Sequence, residues 1–140
     1  MFPCDTPDTD LAPARPEIPW TARGGCHCGA VRYRVTLRSY RMSNCNCSMC
    51  TKKGYLHLIV PKEDFDLTTD PSGLSTYSFN THTAKHHFCK TCGIHSFYVP
   101  RSHPDGFSVN ARCLDDVNLD WFDAEAFDGK NWEAAVHTIR

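Results

Sequence analysis

Apolar and polar side chains alternate along one segment in the first third of the chain. The apolar positions are Val31, Tyr33, Val35 and Leu37, and the positions between and after them are Arg32, Arg34, Thr36 and Arg38. Because successive side chains of a strand point to opposite faces, this pattern predicts a strand with one buried face.

Several short segments rich in aromatic or β-branched residues predict further strands. They cover residues 55–60, 75–80, 85–88, 96–99 and 107–114. Turn-forming runs such as Asp70-Pro71-Ser72-Gly73 separate them. Only the stretch from about Trp132 is typical of a helix. The pattern therefore predicts a mainly β domain with little helix.

The first 22 residues lack this pattern. They hold five of the nine prolines and four acidic residues. Such a composition buries too little apolar surface to offset the entropy of ordering. We expect residues 1–22 to form a flexible tail, with Cys4 as a bystander, and residues 23–140 to form a single domain.

Length and charge limit the function classes. At 140 residues and a net charge of -1, the chain suits one domain and shows no basic field for nucleic acid. No apolar run approaches the ~20 residues of a membrane span. We expect a location in the cytoplasm or nucleus, where closely spaced cysteines more often bind metals than form disulfides.

Seven of the nine cysteines form three clusters. They are Cys26-His27-Cys28, Cys45-Asn46-Cys47-Ser48-Met49-Cys50 and Cys89-Lys90-Thr91-Cys92. A glycine follows the first and the last pair, so the backbone can turn there and point amides at the sulfurs. We expect these two pairs to form one closed, four-thiolate zinc site, in preference to free thiols or disulfides.

The middle cluster has no trailing glycine and supplies three thiolates. Three ligands leave a fourth zinc position open, unless a histidine closes it. Spacing alone leaves both arrangements open, with His57, His87 and His95 as candidate closing ligands.

The three cysteine clusters, in this order along the chain, resemble those of the glutathione-dependent formaldehyde-activating enzyme family. Residues 76–82, 96–102, 113–115 and 127–133 are most similar to its centromere protein V branch. The likeness extends from about residue 24 to near the C-terminus. It implies an Mss4-like β-tent with zinc-binding turns. The short acidic tail differs from the long basic extension of the centromeric protein and disfavours a chromatin role.

The resemblance also implies two zinc ions and an activity. Cys26, Cys28, Cys89 and Cys92 would hold a structural zinc, and Cys45, Cys47 and Cys50 a second zinc exposed at an active site. The family's activity joins formaldehyde to glutathione as S-(hydroxymethyl)glutathione, formally a carbon–sulfur lyase reaction in reverse. The expected partners are thus a small thiol and an aldehyde.

Other residues are candidates for substrate contacts. Lys52 and Lys53 could bind the carboxylates of glutathione or simply be solvated, His95 could act as an acid–base group, and Asn110 and Arg112 could line the pocket. Two alternatives stay open: a non-catalytic zinc module that binds a protein partner, and an enzyme of this frame acting on another aldehyde, imine or sulfur adduct.

Overall fold

The computed structural model describes residues 14–79 and 81–136, so Cys4 and most of the expected tail lie outside the described residues. The strands are β1 (Trp20–Gly25), β2 (Arg32–Leu37), β3 (Arg41–Cys45), β4 (His57–Pro61), β5 (Phe65–Leu67), β6 (Leu74–Tyr77), β7 (His86–Cys89), β8 (Phe97–Tyr98), β9 (Gly106–Asn110) and β10 (Asp123–Phe127). The α-helices are α1 (Ser48–Lys53) and α2 (Trp132–Ala135), and short 3-10 turns join several elements. The predicted mainly β fold is confirmed.

The strands form three sheets. A three-stranded antiparallel sheet has the order β1-β2-β5, and a two-stranded one pairs β6 with β7. The largest sheet has the order β10-β3-β4-β9-β8, in which β10 runs parallel to β3 and the other pairs are antiparallel. The ends of β1, β3 and β7 carry the three cysteine clusters, so the sheets fix the positions of the sulfurs.

The core lies between the first sheet and the largest one. In β2, Tyr33, Val35 and Leu37 are buried while Arg34 is exposed, as the alternation predicts. Aromatic rings then link the sheets: the Tyr33 and Phe97 centroids are 5.8 Å apart. The buried Tyr33 hydroxyl donates to the carbonyl oxygen of Ser96 at 2.9 Å, so burial leaves no unpaired polar atom there.

The fold differs from the expectation at its N-terminal edge. Strand β1 begins at Trp20, inside the segment expected to be a tail. The reason is packing: the Trp20 ring meets Trp121 edge-on at 6.2 Å, and the Arg15 guanidinium lies 4.3 Å from the centre of the Tyr40 ring. Among the described residues, no helix is long and apolar enough to cross a membrane.

Candidate metal centres and the adjoining cavity

The two glycine-trailed cysteine pairs come together in space. The sulfurs of Cys26, Cys28, Cys89 and Cys92 all lie within 4.8 Å of one another. The Sγ atoms of Cys26 and Cys28, and those of Cys28 and Cys89, are 3.6 Å apart. A tetrahedron with Zn–S bonds of about 2.3 Å has edges of about 3.8 Å, whereas a disulfide measures about 2.05 Å. The four sulfurs therefore fit a tetrahedral metal ion.

Backbone amides surround these sulfurs. The amide of Val31 donates to Cys26 Sγ at 3.3 Å, and those of Thr91 and Cys92 donate to Cys89 Sγ at 3.4 and 3.5 Å. The glycines after the two pairs have φ of 88° and 78°, the left-handed conformation that the expected turn needs. The amide of Cys92, above all, lowers the pKa of Cys89, so the backbone favours a thiolate at that sulfur.

The middle cluster forms a second group, which we call the triad: Cys45, Cys47 and Cys50. Its three sulfurs also lie within 4.8 Å of one another. Cys45 ends β3, Cys47 caps the N-terminus of α1 by accepting the Cys50 amide at 3.3 Å, and Cys50 is buried within α1. Hydrogen bonds with the thiols of Cys45 and Cys50 lower the pKa of Cys47, whereas those with Cys45 and Cys47 raise the pKa of Cys50. Three converging sulfurs, one of them readily ionised, could hold a metal ion.

The segment from Phe127 to Lys130 hydrogen-bonds to Asn46, in the loop between Cys45 and Cys47, and we call this contact the clasp. The Asn46 amide donates to the Phe127 carbonyl at 3.1 Å, and the Asn46 side chain donates to Asp128 Oδ1 at 3.0 Å. The Lys130 amide donates back to Asn46 Oδ1 at 3.0 Å. A Cβ on Gly129 would lie only 2.4 Å from Cys45 Sγ. The clasp thus needs a glycine at residue 129 to let the triad form.

Replacing Gly129 with alanine is expected to disrupt the triad while the fold survives. The added methyl group and the Cys45 sulfur cannot both keep their places, so the variant should bind one metal ion fewer than the parent. Metal analysis of the purified protein measures this directly. Gly73→Ala is the matched control, because its Cβ would lie 3.5 Å from the nearest atom, the Ala30 carbonyl oxygen, an ordinary contact. A metal content in Gly129→Ala equal to that of the parent would contradict this role of Gly129.

A cavity of about 420 Å³ opens beside the triad, and all three cysteines line it. Opposite the sulfurs, its walls carry apolar and aromatic side chains, among them Ile59, Phe79, Tyr98 and Trp132. Arg101 and Lys130 add positive charge, and no acidic side chain is among the described residues that line it. The cavity therefore suits a small anionic ligand.

His57 is the histidine that lies against the triad. Its Nε2 is 3.2 Å from Cys50 Sγ, and its Nδ1 is 3.0 Å from Ser108 Oγ and 3.2 Å from the Tyr98 hydroxyl. Burial lowers the pKa of His57 to about 3, so the ring is neutral. With one of these hydroxyls donating to Nδ1, Nε2–H donates to the sulfur. Within the described part of the chain, the group of converging ligand atoms contains three sulfurs and no histidine nitrogen.

His86 also lines the cavity. Its ring stacks on Tyr98, with centroids 4.8 Å apart and planes 10° apart, and on Phe79 at 5.5 Å. Its Nδ1 lies 3.1 Å from Lys53 Nζ. Burial, and then the Lys53 charge, lower the pKa of His86 to about 4, so this ring is neutral as well.

The other candidate residues do not themselves line the triad cavity. Lys52 is exposed, whereas Lys53 turns inward, 4.7 Å from the ring centres of Tyr55 and Tyr98, where burial lowers its pKa to about 8. Lys53 instead joins three other candidates in lining a separate cavity of about 520 Å³ beside the four-cysteine site: His95, Asn110 and Arg112.

Two of these side chains have structural partners. Asn110 receives the amide of Arg112 at 3.1 Å and donates to the His95 carbonyl at 3.2 Å, so it caps the turn after β9. The ring of His95 packs on Phe88, with centroids 5.1 Å apart. Because of these contacts, Asn110 and His95 line the separate cavity and not the triad cavity.

Sequence reasoning missed His86, Arg101 and Gly129 as site residues and left His57 as one of three alternatives. Gly129 lies within residues 127–133, which are similar to the family, and this similarity was the signal that the sequence offered for it. No local spacing connects residues 86, 101 or 129 with the triad, because the sheets bring them together from distant segments.

Comparison with known proteins agrees with this geometry. A curated relative from Halomonas elongata, whose name provisionally assigns it as a glutathione-dependent formaldehyde-activating enzyme, is 33% identical over 78 residues, or 49% of this chain. The chain spans about half the length of that relative. A crystal structure of a Rhodobacter sphaeroides protein is 36% identical, with a TM-score of 0.68, covering 74% of this chain and 98% of that one.

The family model described as "Glutathione-dependent formaldehyde-activating enzyme" matches residues 21–130, which is more than half of the chain. Both cysteine groups, the clasp at Gly129 and every described residue that lines the triad cavity except Trp132 fall within that range. The chain belongs to the glutathione-dependent formaldehyde-activating enzyme family.

Proposed function

We propose that the protein is a zinc-dependent enzyme that joins formaldehyde to glutathione, giving S-(hydroxymethyl)glutathione, and that it catalyses the reverse carbon–sulfur cleavage. The observation that carries the proposal is the triad, three converging sulfurs on the wall of a cavity without acidic lining residues among those described. The family match supports glutathione and formaldehyde as the substrates.

The cysteine sulfurs of each group are ligands that zinc favours. A structural ion would be held by Cys26, Cys28, Cys89 and Cys92, and a second ion by Cys45, Cys47 and Cys50. Zinc at the triad would supply a Lewis acid that favours the thiolate form of a substrate sulfur at neutral pH. The protein's own residues do the rest. His57 hydrogen-bonds Cys50 and keeps the triad in place, and the apolar walls hold the small aldehyde near the sulfur.

Titration calorimetry of the zinc-loaded protein with glutathione, followed by an assay with formaldehyde, tests this function. We expect glutathione to bind and the adduct to form faster than in buffer. The assay needs a protein-free blank, because thiols and formaldehyde combine without a catalyst. Absence of glutathione binding would overturn the proposal and favour the non-catalytic zinc module.

Arg101 is placed to hold a carboxylate of glutathione. Its guanidinium stacks 3.6 Å from the centre of the Trp132 ring, and its Nη2 lies 3.2 Å from Glu133. The Glu133 side chain is 86% exposed, so this ion pair is a weak competitor for the guanidinium. A stacked, planar guanidinium is well suited to bind a carboxylate through two hydrogen bonds.

Arg101→Ala is therefore expected to raise the KM for glutathione about tenfold, with kcat changed less. A lost charged hydrogen bond of about 1.5 kcal/mol gives this factor. Arg112→Ala is the matched control, since Arg112 is exposed and lies at the other cavity. Steady-state kinetics with varied glutathione separate the two. An equal rise in both variants would show that neither arginine recognises the substrate specifically.

A further inference from the structure

We propose that His86 is the acid–base residue of the triad cavity and that Lys53, behind it, is the positioning residue that exchanges the proton with it. This inference rests on the proposed function. It begins from a spatial arrangement: His86 lines the triad cavity, Lys53 lines the separate cavity, and the two side chains meet between them at 3.1 Å.

This contact fixes which ring nitrogen of His86 carries the proton. A lysine ammonium has donors and no acceptor, so Nδ1 must accept from Lys53. In a neutral imidazole the proton then resides on Nε2. Stacking on Tyr98 and Phe79 fixes the plane of the ring. His86 therefore keeps one N–H donor, Nε2–H, for a ligand in the cavity that it lines.

His86 and Lys53 together supply and recover every proton that the addition requires. The substrate thiolate attacks the carbonyl carbon, a carbon–sulfur bond forms, and the π pair of the carbonyl moves to oxygen. That oxygen takes the Nε2 proton of His86 while Nδ1 takes a proton from the Lys53 ammonium. The products are a neutral hemithioacetal, an imidazole protonated at Nδ1 and a neutral lysine. The next thiol gives its proton to Nε2, and Nδ1 returns its proton to Lys53.

The surroundings keep both groups in the required starting state. Burial lowers the pKa of Lys53 to about 8, although the nearby Cys50 and Cys47 oppose this, so the ammonium is present at pH 7 and gives up a proton readily. His86 faces the charges of Lys53, His95, Cys47 and His87, and stays neutral at that pH. Its closest charge is Lys53, which keeps the ring in the donor tautomer.

Nitrogen NMR of the zinc-loaded protein tests the arrangement without any assay of activity. In the parent protein we expect the ¹⁵N shifts of His86 to show a protonated Nε2 and a bare Nδ1 from pH 6 to 7.5. In Lys53→Met the neighbouring charge is lost, and the titration of His86 should move up toward the ordinary value of about 6.5. A proton on Nδ1 in the parent, or an unchanged titration in Lys53→Met, would overturn the proposal.

Kinetics test the chemical role. His86→Gln should lower kcat about 10²-fold, the usual contribution of a general acid or base, while glutathione binding measured by calorimetry persists. Lys53→Arg keeps the positive charge but cannot release a proton, so kcat should fall similarly while the His86 tautomer is retained. The control is His87→Gln on the same strand. Its ring bonds Thr76 Oγ1 at 2.8 Å and packs on Phe97, and it should retain parent activity.

The outcomes separate this proposal from the proposed function. A parent protein with no turnover refutes the proposed function. A parent with turnover, together with a zinc-loaded His86→Gln variant within threefold of it, refutes the His86 role alone. If His86→Gln loses its zinc or its fold, the kinetics of Lys53→Arg and the NMR spectrum of the parent protein decide instead. Either measurement can still refute the proposal.

Discussion

Replacing Cys89 with serine is expected to abolish metal binding at the four-sulfur group and to unfold the protein. Cys89 is 1% exposed and belongs to the hydrophobic core cluster as well as to the four-sulfur group. Its sulfur also accepts the amides of Thr91 and Cys92, which fix the turn after β7. Structural zinc contributes about 10–16 kcal/mol, about as much as the whole net stability of a typical domain, about 5–15 kcal/mol.

Circular dichroism, thermal melting and zinc analysis together measure this effect. Cys113→Ser is the control, because Cys113 is a half-buried cysteine that belongs to neither sulfur group. Its thiol donates to the His95 carbonyl oxygen over a long distance, 3.8 Å. We expect the control to bind two zinc ions and to lose on the order of 1 kcal/mol. A Cys89→Ser protein that melts like the parent would show that the four-sulfur group does not stabilise the fold.

Replacing Cys47 with serine, in contrast to Cys89→Ser, should leave the fold intact and abolish activity. Cys47 is half-buried at the cavity wall and outside the core cluster, so its loss removes little apolar burial. Its sulfur is the one in the triad whose pKa is lowered, chiefly by the thiols of Cys45 and Cys50. Without it two sulfurs remain, too few for a tight zinc site. Turnover should fall at least ~10²-fold, since a catalytic metal ion contributes several kcal/mol.

The expected result for Cys47→Ser is one zinc ion per chain, a far-ultraviolet spectrum like the parent's and a loss of turnover. Thr51→Ala serves as the control, because Thr51 is an exposed residue of α1 that does not line the cavity. If Cys47→Ser kept two zinc ions and full turnover, the triad would not be the catalytic centre. Loss of the fold would instead assign a structural role to the second site.

The strands with a strong pattern could be predicted from the sequence, and those without one could not. Strand β2 alternates over its whole length, because one face is buried and the other meets water. Strand β10 has one buried residue, Phe127, and four exposed ones, so no alternation marks it. Helix α1 has six residues, too few for a helical period to emerge. Strand β1 contains two glycines, and its Gly24 is needed because a Cβ would lie 2.5 Å from the Cys113 carbonyl oxygen.

The cysteines could also be sorted into two groups from the sequence, because short spacings and trailing glycines constrain where sulfurs meet. The cavity could not be inferred in the same way. Its walls come from β4, β7, β8 and the segment after β10, which only the sheet order brings together. Lys53 shows the difference: three residues after Cys50 it was expected either to bind the substrate or to be solvated, but α1 ends there and its Nζ lies 4.7 Å from the ring centres of Tyr55 and Tyr98. Two successive histidines on one strand gave no sign that His86 would reach the cavity.

The parallel pairing of β10 with β3 has a consequence for the order in which the protein matures. Strand β3 ends at Cys45, but the segment that closes around it, Asp128 to Lys130, is made more than 80 residues later. The four-cysteine group is complete once Cys92 has been synthesised. A chain emerging from the ribosome can therefore load its first metal while the triad still lacks its clasp. Completion of the triad's surroundings therefore requires synthesis through Lys130.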